Sequence, residues 1–407
     1  MKKLKILFCT DLREKILYIL LMVILFRVLS HIPVPFVDLG AISMMGNTDF
    51  FGLINLYSGG ALQNFTIMAT GISAYISASI IIQMLSYFVP SVHMMVRSPG
   101  GDRKVKKITI VLGIITAVIS SIVTTYGMDK AYGMLNNHSW YAFAIIAVLH
   151  AFGTGIGIWI GESITEKTFV NGMSLLVCIN VVSSIPTIIQ TAASEDMSVA
   201  SVISMVFLTT ITILLTIIAE TSERRIPLFY PKAAARGKFS KESMYFPIKL
   251  NLSGVMPIIL AGYVVTLLSM FGKMKNKAGT YISAFLDQNN IWYTLVFALM
   301  VYLFTYLYAS ISFDARETSE NIQKNGAVIP TIRPGRETAE YIKDARKSIT
   351  CISAIYLALI YFVPTAILTA LGIHFLQASS IIILVGVSIE TCKSLKVEME
   401  LRDYKTF

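Results

Sequence analysis

The stretch SGGALQNFTIMATGISAYISASIIIQML, Ser58 to Leu85, decides how the rest of the chain is read. From Phe65 onward it is long and apolar enough to cross a bilayer, which takes about 20 mostly apolar residues. Yet it opens on Gly59-Gly60 and carries Thr70, Gly71, Ser73, Ser77, Ser79 and Gln83. Residues at i, i+4, i+7 and i+11 share a helical face, so Ile72, Ile76, Ser79, Gln83 and Ser86 form one stripe. Polar side chains at membrane depth face either a water-filled cavity or another helix. The stripe therefore reads as the wall of a funnel ending in an apolar constriction. On the neighbouring face, Ser73, Ala74, Ser77 and Ala78 are small enough for close packing of transmembrane helices.

The whole chain supports a membrane setting. Of 407 residues, 55% are hydrophobic and 14% charged, and the mean hydropathy is +0.67, too few charges to cover a soluble globule of this size. Ten apolar segments of spanning length are centred near residues 23, 77, 117, 150, 180, 210, 263, 302, 358 and 383. The longest connections between them, about 221–249 and 313–347, exceed the 2–8 residues usual between packed helices. They read either as solvated connections or as functional loops. The N-terminal MKKLKILFCTDLREK has no small-residue cleavage site after it, so the first span is expected to be retained.

The net charge of +10 does not call for nucleic acid. With ten spans and a cytosolic N-terminus, 29 of the 34 Lys and Arg residues fall on the cytosolic side, as the positive-inside rule requires. Both termini are then cytosolic. Seven basic residues in each long loop leave room for an anionic partner.

The spans offer almost no titratable chemistry. His150 is the clearest ionisable residue within one; Arg27 lies near a span end and can snorkel, and Glu220 and Glu390 sit at cytosolic ends. A lone His without a carboxylate or second His nearby fits a hydrogen-bonded packing role better than catalysis or a proton relay. No nucleotide-binding, HExxH or GxSxG motif occurs, and the four cysteines have no metal-like spacing. No enzyme, cofactor or metal site is expected. Glycines and prolines interrupt several spans, as in FGTGIGIWIGE, VNGMSL and NLSGVMP, a pattern that suits a transporter with broken helices or a gated channel. Between the first two spans, FFGLINLYSGGAL is apolar but too short to cross, so it either lies at the interface or folds back into the protein.

Longer matches carry a resemblance. FFGLINLYSGGAL followed by GISAYISASIIIQML, FRVLSHIPVPFVD, GESITEK with NGMSL, ERRIP, PIKLNLSGVMP, FDARETSENIQKNGAVIPTIRPGRETAEYI and SSIIILVGV resemble, in order from about residue 16 to 395, the SecY protein-conducting channel family. The resemblance implies an all-α polytopic membrane protein. Its ten transmembrane helices form two inverted five-helix halves, about 1–195 and 196–407, around an hourglass pore that opens sideways between spans two and seven. It places a pore ring on Ile72, Ile76, Val177, Ile259 and Ile383, and a plug on about 50–61, including Phe50, Phe51, Asn55, Ser58, Gly59 and Gly60. It makes Ser77, Gln83 and Asn251 lateral-gate residues, with a Gln83–Asn251 hydrogen bond as a weak latch. Arg333, Arg224 and Arg225 match residues that dock a motor, although topology alone would account for Arg224 and Arg225.

The partners implied are a SecA-type motor ATPase, an unfolded preprotein with its signal sequence, small SecE- and SecG-like subunits and membrane lipid, with no direct nucleic acid. The site is the plasma membrane. Departures from the family pattern include Ala74 in place of a frequent proline and the first cytosolic loop HMMVRSPGGDRKVKK. They resemble the accessory SecY of some Gram-positive bacteria, which works with an accessory SecA to export glycosylated serine-rich adhesins. Housekeeping secretion is the alternative. A small-solute transporter is a remote one, because the mid-membrane positions are Ile, Val, Ser and Gly rather than ion-coordinating groups.

Overall fold

The computed structural model describes residues 10–38, 59–62, 64–89, 100–135, 139–194, 198–230, 245–272, 290–373 and 377–405, with a few positions between 92 and 98. Phe50, Phe51, Asn55 and Ser58, expected in a plug, lie outside the described residues. The spans are α1 (Thr10–Leu29), α2 (Ser73–Phe88), α3 (Gly101–Tyr132), α4 (Trp140–Lys167), α5 (Gly172–Ser194), α6 (Val199–Thr221), α7 (Met256–Gly272), α8 (Ile291–Ser312), α10 (Arg336–Ala370) and α11 (Ala378–Lys405). Each coincides with one of the ten apolar segments. Between α6 and α7 runs an antiparallel ribbon, β1 (Glu223–Pro227) and β2 (Tyr245–Lys249), and between α8 and α10 a short helix, α9 (Ala315–Lys324). Among the described residues, seven helices are long and apolar enough to cross a bilayer.

The same neighbours recur in the two halves of the chain. α2 packs on α3, α3 on α4, α4 on α5 and α1 on α4; five spans later, α7 packs on α8, α8 on α10, α10 on α11 and α6 on α10. Contacts between these groups run along two seams, α5 with α11 and α2 with α7 and α8. Lys15 of α1 also bridges to Glu398 of α11 at 2.7 Å. Outward faces such as that of α6, with Ile203, Phe207 and Leu214 exposed, present apolar surface suited to lipid.

The opening stretch differs from its expectation in one respect. Its helix starts at Ser73 rather than Phe65, and residues 59–62 and 64–72 form turns and bends with one isolated bridge, Thr66 to Pro33. Phe65 and Gly71 have positive φ, 43° and 46°, which no helix tolerates. This irregular backbone is satisfied by protein, as it must be at membrane depth. Val34 N–H donates to the Phe65 carbonyl at 3.0 Å, and Ile67 N–H to the Ile32 carbonyl at 3.0 Å. Phe65 and Met68 are buried, with Phe65 against His150 at 5.3 Å between ring centroids.

The glycine-rich fourth span is not broken either. α4 runs unbroken for 28 residues, and its glycines make room for neighbours. A Cβ on Gly153 would overlap the Ile67 carbonyl, and one on Gly172, at the start of α5, would overlap the Gly161 carbonyl.

Outside the spans, a small apolar core joins the two long loops. Ile226 and Ile248 of the ribbon pack with Ala315, Ile322, Ile329, Ile342 and Ile349, and Phe229 pairs with Val328 through two backbone hydrogen bonds of 2.8 Å. The side chain of Arg346 donates to the Ser310 and Phe313 carbonyls at 3.2 and 2.9 Å, satisfying the C-terminal end of α8. The described parts of the two loops thus pack as one unit.

Candidate functional site

All five aliphatic residues expected to form a ring fall in one buried cluster. Ile72, Ile76, Val177, Ile259 and Ile383 come from the turn before α2, from α2, α5, α7 and α11, and none is more than 5% exposed. Four separate helices therefore converge branched aliphatic side chains on the seam between the halves. Directly against this cluster lies a cavity of about 820 Å³. Its lining joins Ile76, Val177 and Ile259 to the charged Lys249, Glu390, Lys393 and Glu398. Apolar and charged side chains therefore face one cavity. A constriction of branched aliphatic side chains excludes water and ions when closed.

The polar part of the opening stripe is placed differently from expectation. Ser79 and Gln83 are half-buried and are not among the residues lining the cavity. Gln83 Nε2 instead donates to Ser79 Oγ at 3.2 Å, one turn back along α2, and Ser77 Oγ donates to the Ser73 carbonyl at 2.9 Å. The walls come from the start of α5, the segment leading into α7 and the inner face of α11. Asn251 does line the cavity, but its amide is engaged away from α2: Nδ2 donates to Glu220 Oε1 at 2.5 Å and to the Gly254 carbonyl at 3.0 Å.

Gly59 and Gly60 are described, and Gly59 is held from two sides. Its carbonyl accepts from Ser183 Oγ of α5 at 3.2 Å and from Arg27 Nη1 of α1 at 3.4 Å. Arg27 is partly buried and directed at a backbone carbonyl, not simply snorkelling. His150 is fully buried, with Nδ1 2.6 Å from Ser121 Oγ. That is the packing role its isolation suggests.

The three arginines differ in their surroundings. Arg225 bonds Glu223 at 2.9 Å and stacks over the Tyr245 ring at 4.6 Å. The Glu223 hydrogen bond raises its guanidinium above its ordinary range, and the side chain is committed to the ribbon. Arg224 is exposed on the same strand. Arg333 projects from a turn pinned at both ends: Thr338 Oγ1 donates to the Arg333 carbonyl at 2.8 Å and Ser319 Oγ to the Gly335 carbonyl at 2.9 Å. With Thr331 and Gly335 at φ of 70° and 106°, the turn presents an exposed arginine on a fixed backbone.

Sequence reasoning passed over the partnership at Glu220. It noted the residue only as a span-end acid, and the usable signal was a carboxylate ending an otherwise apolar span.

The family model for SecY matches residues 66–392, most of the chain. The chain belongs to the SecY family. It is 32% identical to the protein translocase subunit SecY of Helicobacter pylori over 97% of both chains. It is 31% identical to that of Streptomyces galbus over 98% of this chain and 97% of the relative. The fold is also that of a solved protein-conducting channel, with a TM-score of 0.68 over 94% of this chain and 91% of that one at 15% identity. A solved Sec61, from a canine ribosome–channel complex, gives a TM-score of 0.64 over 94% of this chain and 91% of that one, also at 15% identity. As a SecY the chain is a multi-pass membrane channel subunit of a protein translocase and not an enzyme.

Proposed function

We propose that this SecY passes unfolded preproteins through the conduit between its halves, 1–195 and 196–407, driven by a SecA-type ATPase. The observation that carries the reading is the convergence of Ile72, Ile76, Val177, Ile259 and Ile383 against a cavity that charged side chains also line. Branched aliphatic chains around a peptide yield to its varied side chains yet leave no polar path for ions. Gly59 and Gly60 end a plug that rests against α1 and α5. The α2–α7 seam is the lateral gate, with Ser77, Gln83 and Asn251 beside it, and a signal sequence enters there. Arg333, with Arg224, docks the motor on the unit formed by the two long loops, and both chain termini face the cytosol. Small SecE- and SecG-like subunits bind the lipid-facing surface.

Reconstitution in proteoliposomes with the cognate SecA-type motor and a secreted preprotein tests this. ATP-dependent appearance of protease-protected preprotein supports it; accumulation of a small solute with no protected preprotein refutes it.

The finer reading is an accessory channel that exports glycosylated serine-rich adhesins with its own accessory SecA, in a Gram-positive cell. Its support is the divergent loop HMMVRSPGGDRKVKK and Ala74. General secretion is the competing reading, favoured by the curated relatives' plain designation as translocase SecY subunits. Competition between an adhesin and an ordinary preprotein for the same vesicles separates them.

A further inference from the structure

The polar network around Glu220 ties three spans together where the seventh begins. Glu220 ends α6, and its carboxylate accepts the Asn251 amide at 2.5 Å. Asn251 precedes α7, and its own oxygen accepts from Ser253 Oγ at 3.0 Å, so the amide is fixed in orientation. From α11, Lys393 Nζ donates to the Glu220 backbone carbonyl at 2.6 Å. The backbone of the same region is bonded as well, Leu250 N–H to the Ser222 carbonyl at 2.8 Å. Gly386 of α11 lets that helix approach: a Cβ there would strike Val255 and come within 3.9 Å of Glu220 Oε1. Asn251 is 4% exposed, and charge-assisted hydrogen bonds in such surroundings are the strong ones.

Among the described residues, no side-chain hydrogen bond of this kind joins the same end of α7 to α2. Gln83, on the α2 side, is turned back to Ser79, whereas Asn251 bonds Glu220. The two sides of the seam are unequally hydrogen-bonded. A mobile element separates where its contacts are few.

We propose that Glu220 and Asn251, with Lys393, are positioning residues that moor the start of α7 to the end of α6 and to α11, so that these three span ends keep their spacing when the α2–α7 seam opens. The inference rests on the channel reading and adds to it which spans travel together. Asn251→Asp would set two carboxylates against each other and release the mooring. The double variant Glu220→Gln with Asn251→Asp exchanges donor and acceptor, the Gln amide now donating to the Asp carboxylate, and restores it.

The test uses full-length protein in proteoliposomes with spin labels at Leu260 of α7 paired with Cys392 of α11 or with Leu85 of α2, in a background free of other cysteines. Uptake of a preprotein lacking a working signal sequence is measured alongside. In the otherwise unaltered protein, preprotein engagement is expected to lengthen the Leu260–Leu85 distance and leave Leu260–Cys392 unchanged. Asn251→Asp should broaden Leu260–Cys392 at rest and raise signal-independent uptake about tenfold, the order expected for losing one hydrogen bond to a charged group, and the double variant should reverse both. A Leu260–Cys392 distance that lengthens on engagement in the unaltered protein, or that Asn251→Asp leaves unchanged at rest, overturns the mooring. Failure of the unaltered protein to take up any preprotein overturns the channel reading instead, and the resting distances still judge the mooring.

Discussion

The hydroxyl of Ser183 on α5 donates to the carbonyl of Gly59 at 3.2 Å, joining the tail of the proposed plug to α5. The approach is close because Gly59 has no side chain: a Cβ would sit 2.7 Å from Ser183 Oγ and 2.8 Å from Asn180. At φ of 65° the position also favours glycine.

Gly59→Val therefore combines backbone strain with a clash, and we expect it to dislodge the plug tail without unfolding the helices. Strain of this kind costs roughly 1–3 kcal/mol. The measurement is ion conductance of planar bilayers holding the purified protein, which should rise relative to the unaltered channel. Ser183→Ala, losing only the hydrogen bond, should show a smaller rise. Equal conductance in all three would remove Gly59 from the seal.

Glycines in α4 and α5 act through packing instead. Because a Cβ on Gly153 would overlap the Ile67 carbonyl, and one on Gly172 the Gly161 carbonyl, Gly153→Ala and Gly172→Ala should each destabilise the fold by about 1–3 kcal/mol. Gly155, with open space around its Cβ direction, is the control and should tolerate alanine. Thermal unfolding in detergent, followed by tryptophan fluorescence, gives the comparison; a Gly155→Ala loss as large as the others would refute the packing account.

How much of this was legible beforehand varies by residue. Family motifs point to Ile72, Ile76, Val177, Ile259 and Ile383, and the structure gathers them in one buried cluster from the turn before α2 and from α2, α5, α7 and α11. Hydropathy allows α2 to begin at Phe65, eight residues before its actual start at Ser73, because hydropathy does not sense backbone geometry. Phe65 takes a positive φ in a segment held by tertiary hydrogen bonds, Val34 N–H to the Phe65 carbonyl and Ile67 N–H to the Ile32 carbonyl. Gln83 was set on the funnel wall by periodicity alone, which gives the face a residue occupies but not which neighbour its amide finds. Asn251 was singled out, but its partner Glu220 lies 31 residues away, beyond the reach of any local pattern.

Arg333 offers a test of the docking surface. Its side chain is exposed while its backbone is pinned by Thr338 and Ser319, so Arg333→Glu should leave the turn intact and reverse only the charge presented. We expect stimulation of the SecA-type ATPase to fall about tenfold, since a loss of about 1.4 kcal/mol of binding is a factor of ten, with an unchanged amount of folded channel. Arg225→Glu should lower stability instead, because it sets a second carboxylate beside Glu223 and removes the cation from the Tyr245 ring. Unchanged stimulation by Arg333→Glu would leave that arginine with topology as its only role.

The aliphatic cluster yields the most direct prediction. Ile76 of α2 and Ile259 of α7 belong to opposite halves, line the same cavity and are 5% and 4% exposed. Replacing both with Ser removes two branched side chains from the constriction and supplies hydroxyls that hold water in it. Burying an Ile side chain is worth about 1.5–3 kcal/mol and 1.4 kcal/mol is tenfold in an equilibrium, so ion leak should rise by about tenfold or more. Ile203→Ser on α6, which is 64% exposed on the outer face, changes the same chemistry away from the cavity and should leave leak at its basal value. Single-channel recordings of the three proteins decide it: if the double variant conducts no better than the outer-face control, the constriction lies elsewhere along the conduit.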